Sequence, residues 1–156
     1  MTAKSDRQRG QSLVELAITL PILLLLLGGV IDLGRGFLIL VAVENAAGEG
    51  ALYGAVHPEC LTDDHAPTIC QGSESVAGRV REEGRPIIEL TEDNAVITVE
   101  VEGGAPITAG STLLVTVTYT YSPLTPVGYL VWGETAEVTA TARQAILSPP
   151  PPGYQY

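Results

Sequence analysis

Positive charge is scarce in this chain. Of its 156 residues, 8 are Lys or Arg and 18 are Asp or Glu, a formal net charge of -10. Binding to nucleic acid depends on Lys and Arg neutralising phosphates, and electrostatic docking on anionic lipid depends on the same residues, so neither suits so acidic a chain. Aromatic residues make up 5%, too few for a platform on which single strands would stack. The motifs of common catalytic sites are missing as well: G-x-S-x-G, a P-loop, H-E-x-x-H or a dinucleotide fingerprint. The sequence therefore reads as a non-enzyme with no catalytic residue and no cofactor. The length allows one small domain with a core of useful size, plus an anchor.

Charge is absent altogether from Leu16 to Ile31. Leu13 to Ile31, about nineteen residues, would make a helix of roughly 28 Å, enough to span a hydrocarbon core. Lys4, Arg7 and Arg9 all precede this run, so the positive-inside rule puts the N-terminus in the cytoplasm and the chain beyond about Phe37 outside. A secretory signal peptide is the alternative. Its apolar region would be shorter, whereas here the apolar pattern continues through Phe37-Leu38-Ile39-Leu40-Val41. Glu15 stands alone at the start of the run. A carboxylate in a membrane helix costs on the order of 2.5–3.5 kcal/mol at the bilayer centre and less near its edge, which suggests a role for it. A plainer reading pairs it with Ser12 in an S-x-x-E capping box.

Residues 11 to about 56 are expected to form one long helix, kinked or loosened at Pro21, which lacks an N–H and crowds the preceding turn. Asp32 and Arg35, spaced i, i+3, can form an ion pair at the membrane boundary or meet a neighbouring subunit. From Ala42 on, Ala42, Ala46, Gly50 and Gly54 make a stripe of small residues, with Ala47, Ala51 and Ala55 beside it. Such stripes let backbones approach closely, against the chain's own sheet or against another subunit. Pro58 ends the helix.

His57 to Gly72 reads as a loop. Cys60 and Cys70 lie on the exterior side, where an oxidising compartment favours a disulfide. Zinc at His57, Cys60, His65 and Cys70 fits no standard ligand spacing. Asp63, Asp64, Glu82 and Glu83 read as solvated acids, with calcium at the Cys loop as the sharper alternative. Ser73 to Glu83 has helical character, stopped by Gly84 and Pro86, and Ile87 to Leu90 is a candidate short strand. Strand alternation follows. Ile97, Val99 and Val101 share one face. Leu113, Val115, Val117, Tyr119 and Tyr121 share another. From about Glu134 to Ile146, Ala136, Val138, Ala140 and Ala142 point inward. Pro123 and Pro126 break the chain between the last two strands. Short connections imply an antiparallel meander, and the SPPPPGYQY tail is expected to be extended and mobile.

The run Arg9-Gly10-Gln11-Ser12-Leu13-Val14-Glu15-Leu16-Ala17, followed by Leu20-Pro21-Ile22-Leu23 and Asp32-Leu33-Gly34-Arg35, resembles the TadE-like pseudopilins. So do Asn45-Ala46-Ala47, Glu49-Gly50-Ala51 and Tyr53-Gly54-Ala55, and more loosely the closing segment Tyr119 to Ile146 with Leu124-Thr125-Pro126 inside it. The resemblance implies a minor pilin-like protein of the tight-adherence (Flp-type) pilus system. It implies cleavage between Gly10 and Gln11 by a membrane prepilin peptidase, with Glu15 then the fifth residue and an assembly determinant. It also implies that other pilin-like subunits and the pilus assembly platform are partners. Major pilins of that system usually carry Tyr after the Glu and are much shorter; Leu16 and a sizeable exterior domain favour the minor component.

The expected fold is α+β and pilin-like: a long N-terminal transmembrane helix packed on a small antiparallel β-sheet. The expected organisation is a leader at 1–10, a long helix at 11–56 that spans the membrane at about 13–31, an extracytoplasmic domain at 57–147 and a tail at 148–156. The competing function is that of a signal-anchored extracytoplasmic binding domain that never joins a pilus.

Overall fold

Between Gln11 and Val56 the sequence offers no helix stop stronger than Pro21, and one helix results. In the computed structural model, which describes residues 5–61, 70–104 and 106–151 (5–9 as backbone only), helix α1 runs unbroken over Ser5–Val56. It passes through Pro21. Its start differs from the expectation. The helix is already formed at Ser5, so Ser12 lies inside it, and the capping-box reading of Ser12 and Glu15 fails because there is no helix end for them to cap. Asp63, Asp64 and His65, weighed above as cation ligands, lie outside the described residues, as do Lys4 and the tail from 152 on.

The other α-helices and strands among the described residues are α2 (Val76–Gly84), β1 (Ala95–Val101), β2 (Thr112–Tyr121), α3 (Pro126–Trp132) and β3 (Ala136–Ala145). The chain divides into two units: Met1–Arg35 with Ser122–Ala136, and Gly36–Tyr121 with Glu137–Tyr156.

The second unit holds the sheet, in the order β1-β2-β3. β1 and β2 pair antiparallel, with Ile97 opposite Val117 and Val99 opposite Val115. Thr116 and Thr118 of β2 share hydrogen bonds of 3.0 Å with Thr141 and Thr139 of β3, partners that descend as β2 ascends, so this pair is antiparallel too. One sheet face is therefore rich in Thr and Glu. The other, built on Leu113, Val115 and Val117, is buried. Gly103 and Gly104, between β1 and β2, both have positive φ (90° and 68°), a conformation that glycine adopts without a Cβ penalty.

The C-terminal part of α1 covers that buried face. Ala42, Ala46, Ala47, Ala51 and Ala55 are all at most 3% exposed. At Gly50 a Cβ would collide with Val80 and meet Val115 at 3.4 Å; at Gly54 it would lie 2.7 Å from Leu113 and 2.9 Å from Leu61. Both small-residue stripes are thus spent inside this unit, where they let β2 and α2 come close to the helix backbone. Leu147 N–H donates to the Ala55 carbonyl at 2.9 Å and closes the unit at the helix end.

Cys60 and Cys70 are joined, with their Cα atoms 5.1 Å apart. A disulfide leaves no thiolate for a metal, which removes the zinc reading. Helix α2 is capped by the Ser75 hydroxyl, which accepts from Gly78 N–H at 3.0 Å. Ile87 to Leu90 is not a strand. Ile87 and Ile88 N–H both turn back to the Gly84 carbonyl (3.0 and 2.8 Å), because Pro86 offers no donor and the chain must close the end of α2 before moving on. Ile88 and Leu90 are nevertheless core residues.

Two glycine substitutions separate close packing from helix propensity. Gly50→Ala is expected to destabilise the chain by about 1–3 kcal/mol through overpacking against Val80. Gly48→Ala, at a site with nothing within 4 Å, should be neutral or stabilising by up to about 1 kcal/mol. Thermal unfolding of the full chain in detergent, followed by circular dichroism, measures both.

Candidate functional site

Bulky apolar side chains dominate α1 between Leu13 and Ile31, and none of them is buried. The large hydrophobic residues of this stretch are between 49% and 67% exposed. The helix is long and apolar enough to cross a membrane, and a span favours polar side chains that find partners within the helix. The Thr19 hydroxyl, for example, donates to the Glu15 carbonyl oxygen at 2.9 Å.

Glu15 sits near the start of this surface. Its carboxylate accepts a hydrogen bond from the Gln11 side-chain amide at 3.3 Å, one helical turn back. Gly10 and Gln11 are exposed, and nothing lies within 4 Å of the Gly10 Cβ position. Gly10, Gln11 and Glu15 thus lie within two turns of one another on an open helix.

At the other end of the apolar stretch stands a second carboxylate with different surroundings. Asp32 is 5% exposed. One of its oxygens accepts from Leu124 N–H at 2.8 Å; the other accepts from Thr125 N–H at 3.1 Å and from the Thr125 hydroxyl. Three residues on, Arg35 donates to the Ser122 carbonyl at 2.7 Å. The pair spaced i, i+3 therefore grips one segment, 122–125, from a single helix face. The Thr125 hydroxyl first, and then the Leu124 N–H, hold the Asp32 carboxyl below the ordinary carboxylate value. The Thr125 N–H and the Arg35 charge add to this, while burial opposes it.

Two glycines make the approach possible. Gly28 lies 3.3 Å from Thr125 at its Cβ position, and a Cβ on Gly128 would collide with the Asp32 carboxylate and with Pro123. Thr125 also caps α3, accepting from Gly128 N–H at 3.3 Å, with Pro126 at the first helical position. This short helix and its link to Asp32 are missing from the sequence reading, which has only a proline-broken loop there. The local signal was Thr125-Pro126, a cap followed by a helix-starting proline. The partner of Asp32 had no local signal, being some ninety residues away in the chain.

The family model described as TadE-like protein matches residues 10–52. This segment is TadE-like. It includes Gly10, Gln11, Glu15, Asp32 and Arg35, and most of the small-residue stripe. No curated protein and no solved structure matches the chain significantly.

The hold on segment 122–125 should depend on the ionised carboxylate. Because the Asp32 pKa is lowered, its contribution is complete above the ordinary carboxylate value of 3.8 and is lost only as pH falls through the depressed value. Asp32→Asn puts an NH2 group where only acceptors fit. The variant is expected to open the 122–133 segment to protease at neutral pH, where the parent resists until strong acid. Mapping early cleavage sites against pH checks this.

Proposed function

We propose that this chain is a minor pilin-like subunit of a tight-adherence (Flp-type) pilus. On this reading a prepilin peptidase cuts it between Gly10 and Gln11, and it then takes part in assembling or priming the filament for surface attachment. The observation that carries the proposal is the TadE-like match over residues 10–52, falling on an exposed apolar arm with one carboxylate, Glu15, near its start. The TadE-like family is one of structural rather than catalytic proteins, and a Tad pilus-associated role is the one that the match supports.

The physical steps follow from that arm. Before cleavage the basic leader lies on the cytoplasmic side and the apolar stretch lies in lipid. Cleavage removes Lys4, Arg7 and Arg9 and leaves an α-amine on Gln11. Glu15 is then one turn from a positive charge of its own chain and can face the amine of an adjacent subunit. In a low-dielectric setting such a pair, once made, is costly to break, because either charge alone would be stranded. It sets the axial register between neighbouring helices while the apolar surface passes from lipid into a helix bundle without meeting water. The partners are the peptidase, other pilin-like subunits, the assembly platform and membrane lipid.

The N-terminus of the native protein, read by mass spectrometry from membrane and sheared-surface fractions, tests the processing step. A start at Gln11, free, methylated or cyclised, is the expected result. An intact leader in cells with active peptidase would support a simple membrane-anchored binding domain instead. A start beyond Gly28 would mean conventional secretion. Glu15→Ala should leave membrane insertion unchanged and reduce incorporation into pilus complexes to background, whereas substitution of Gly10 should block cleavage. Normal incorporation of the Glu15 variant would sink the register argument. Cyclised Gln11 would also sink it, because it carries no positive charge.

A further inference from the structure

We propose that segment 122–133, with helix α3 at its centre, is a second membrane contact, seated in the lipid interface at the exterior end of the α1 span. The proposal rests on the reading of Leu13–Ile31 as a membrane span and adds to it a partner for a surface that the protein leaves uncovered.

The segment Ser122–Gly133 has no charged residue. Its apolar side chains face outward: Leu130 is 87% exposed, Val131 63% and Leu124 62%, with Tyr129 and Trp132 also open. Left in water, a helix of seven residues with this surface has little to stabilise it. Its position within its own unit identifies what covers it. The grip of Asp32 on Leu124 and Thr125, and of Arg35 on Ser122, fixes the segment at the first charges after the apolar stretch. The Cβ positions of Gly28 and Gly29 lie 3.3 Å from Thr125 and 3.5 Å from Val127, which places the segment along the last turn of that stretch. A membrane that ends near Ile31 therefore ends beside α3. The apolar surface of the span and that of α3 are continuous, and one lipid interface covers both.

The chemistry agrees with that depth. Tyr and Trp prefer the headgroup level, where an apolar ring is buried and a polar tip stays hydrated. Leu124, Leu130 and Val131 supply the apolar area. The segment brings no positive charge, so this contact is apolar and needs no anionic lipid.

Trp132 is the only tryptophan in the chain, so its emission reports on this segment alone. The full-length chain is reconstituted in phosphatidylcholine vesicles, with and without lipid brominated near the glycerol end of the acyl chains, and integration of α1 is scored separately by resistance to alkaline extraction. Emission is expected to fall on the order of twofold with the shallow bromolipid, less with deeply brominated lipid, and to be protected from aqueous iodide. Leu130→Glu, at an exposed position that the fold does not use, should abolish the bromolipid effect and leave alkaline resistance intact.

A chain that resists extraction while Trp132 is open to iodide and blind to bromolipid would overturn the proposal and leave the span standing. Protection from iodide without bromolipid quenching would overturn it in favour of a protein partner on α3. Loss of the chain on alkaline extraction would remove the span and this contact together.

Discussion

Side-chain volume along α1 is the constraint on which the rest of the structure depends. From Leu13 to Ile31 the helix carries large residues all round and buries none of them, so it needs a partner made of lipid or of other helices. From Ala42 to Ala55 it carries almost no volume on one face, and that face is sealed by Val80, Leu113 and Val115 of its own chain. One continuous helix thus changes its manner of packing along its length.

This division limits what assembly can use. The small-residue stripe is occupied within the chain, so it is not a free surface for neighbouring subunits. The surface that the chain leaves uncovered is instead the apolar stretch with Glu15 near its start, the part of the helix where a charge in lipid is costly. A carboxylate with one weak partner, the Gln11 amide at 3.3 Å, keeps acceptor capacity in reserve. Asp32, with three donors on its two oxygens, keeps little. The two acids that bracket the apolar stretch differ in this: one keeps open acceptor positions, and the other is committed to the fold.

Much of this was legible in the sequence because the governing signals are local. The apolar run is continuous, the alternation of β1, β2 and β3 is periodic, and the face assigned from Leu113, Val115 and Val117 is the buried one. What was not legible depended on distance or on competition. Ser12 looked like a cap only because the polar leader looked non-helical. Ile88 and Leu90 bury like strand residues, yet their neighbourhood is set by the need of α2 for a C-terminal closure around Pro86. Asp32 and Arg35 invite each other at i, i+3, but the donors at Leu124 and Thr125 and the carbonyl at Ser122 lie on a segment that no sequence window brings near them.

The glycines of α1 also bear on how such a chain can change over time. Gly50 and Gly54 are already at the lower limit of side-chain size, so every substitution there adds atoms, and none can be offset by trimming the same residue. The room must come from across the contact, through a shorter side chain at Val80, Leu113 or Leu61. Drift at this face is therefore a paired process: a position on α1 grows only after its partner across the contact has shrunk. Apart from Gly28 and Gly29, which face Thr125 and Val127, the exposed apolar stretch of the same helix carries no such coupling and can exchange one greasy residue for another independently. The two ends of a single helix thus follow different rules of divergence, conservative in volume at one end and only in character at the other.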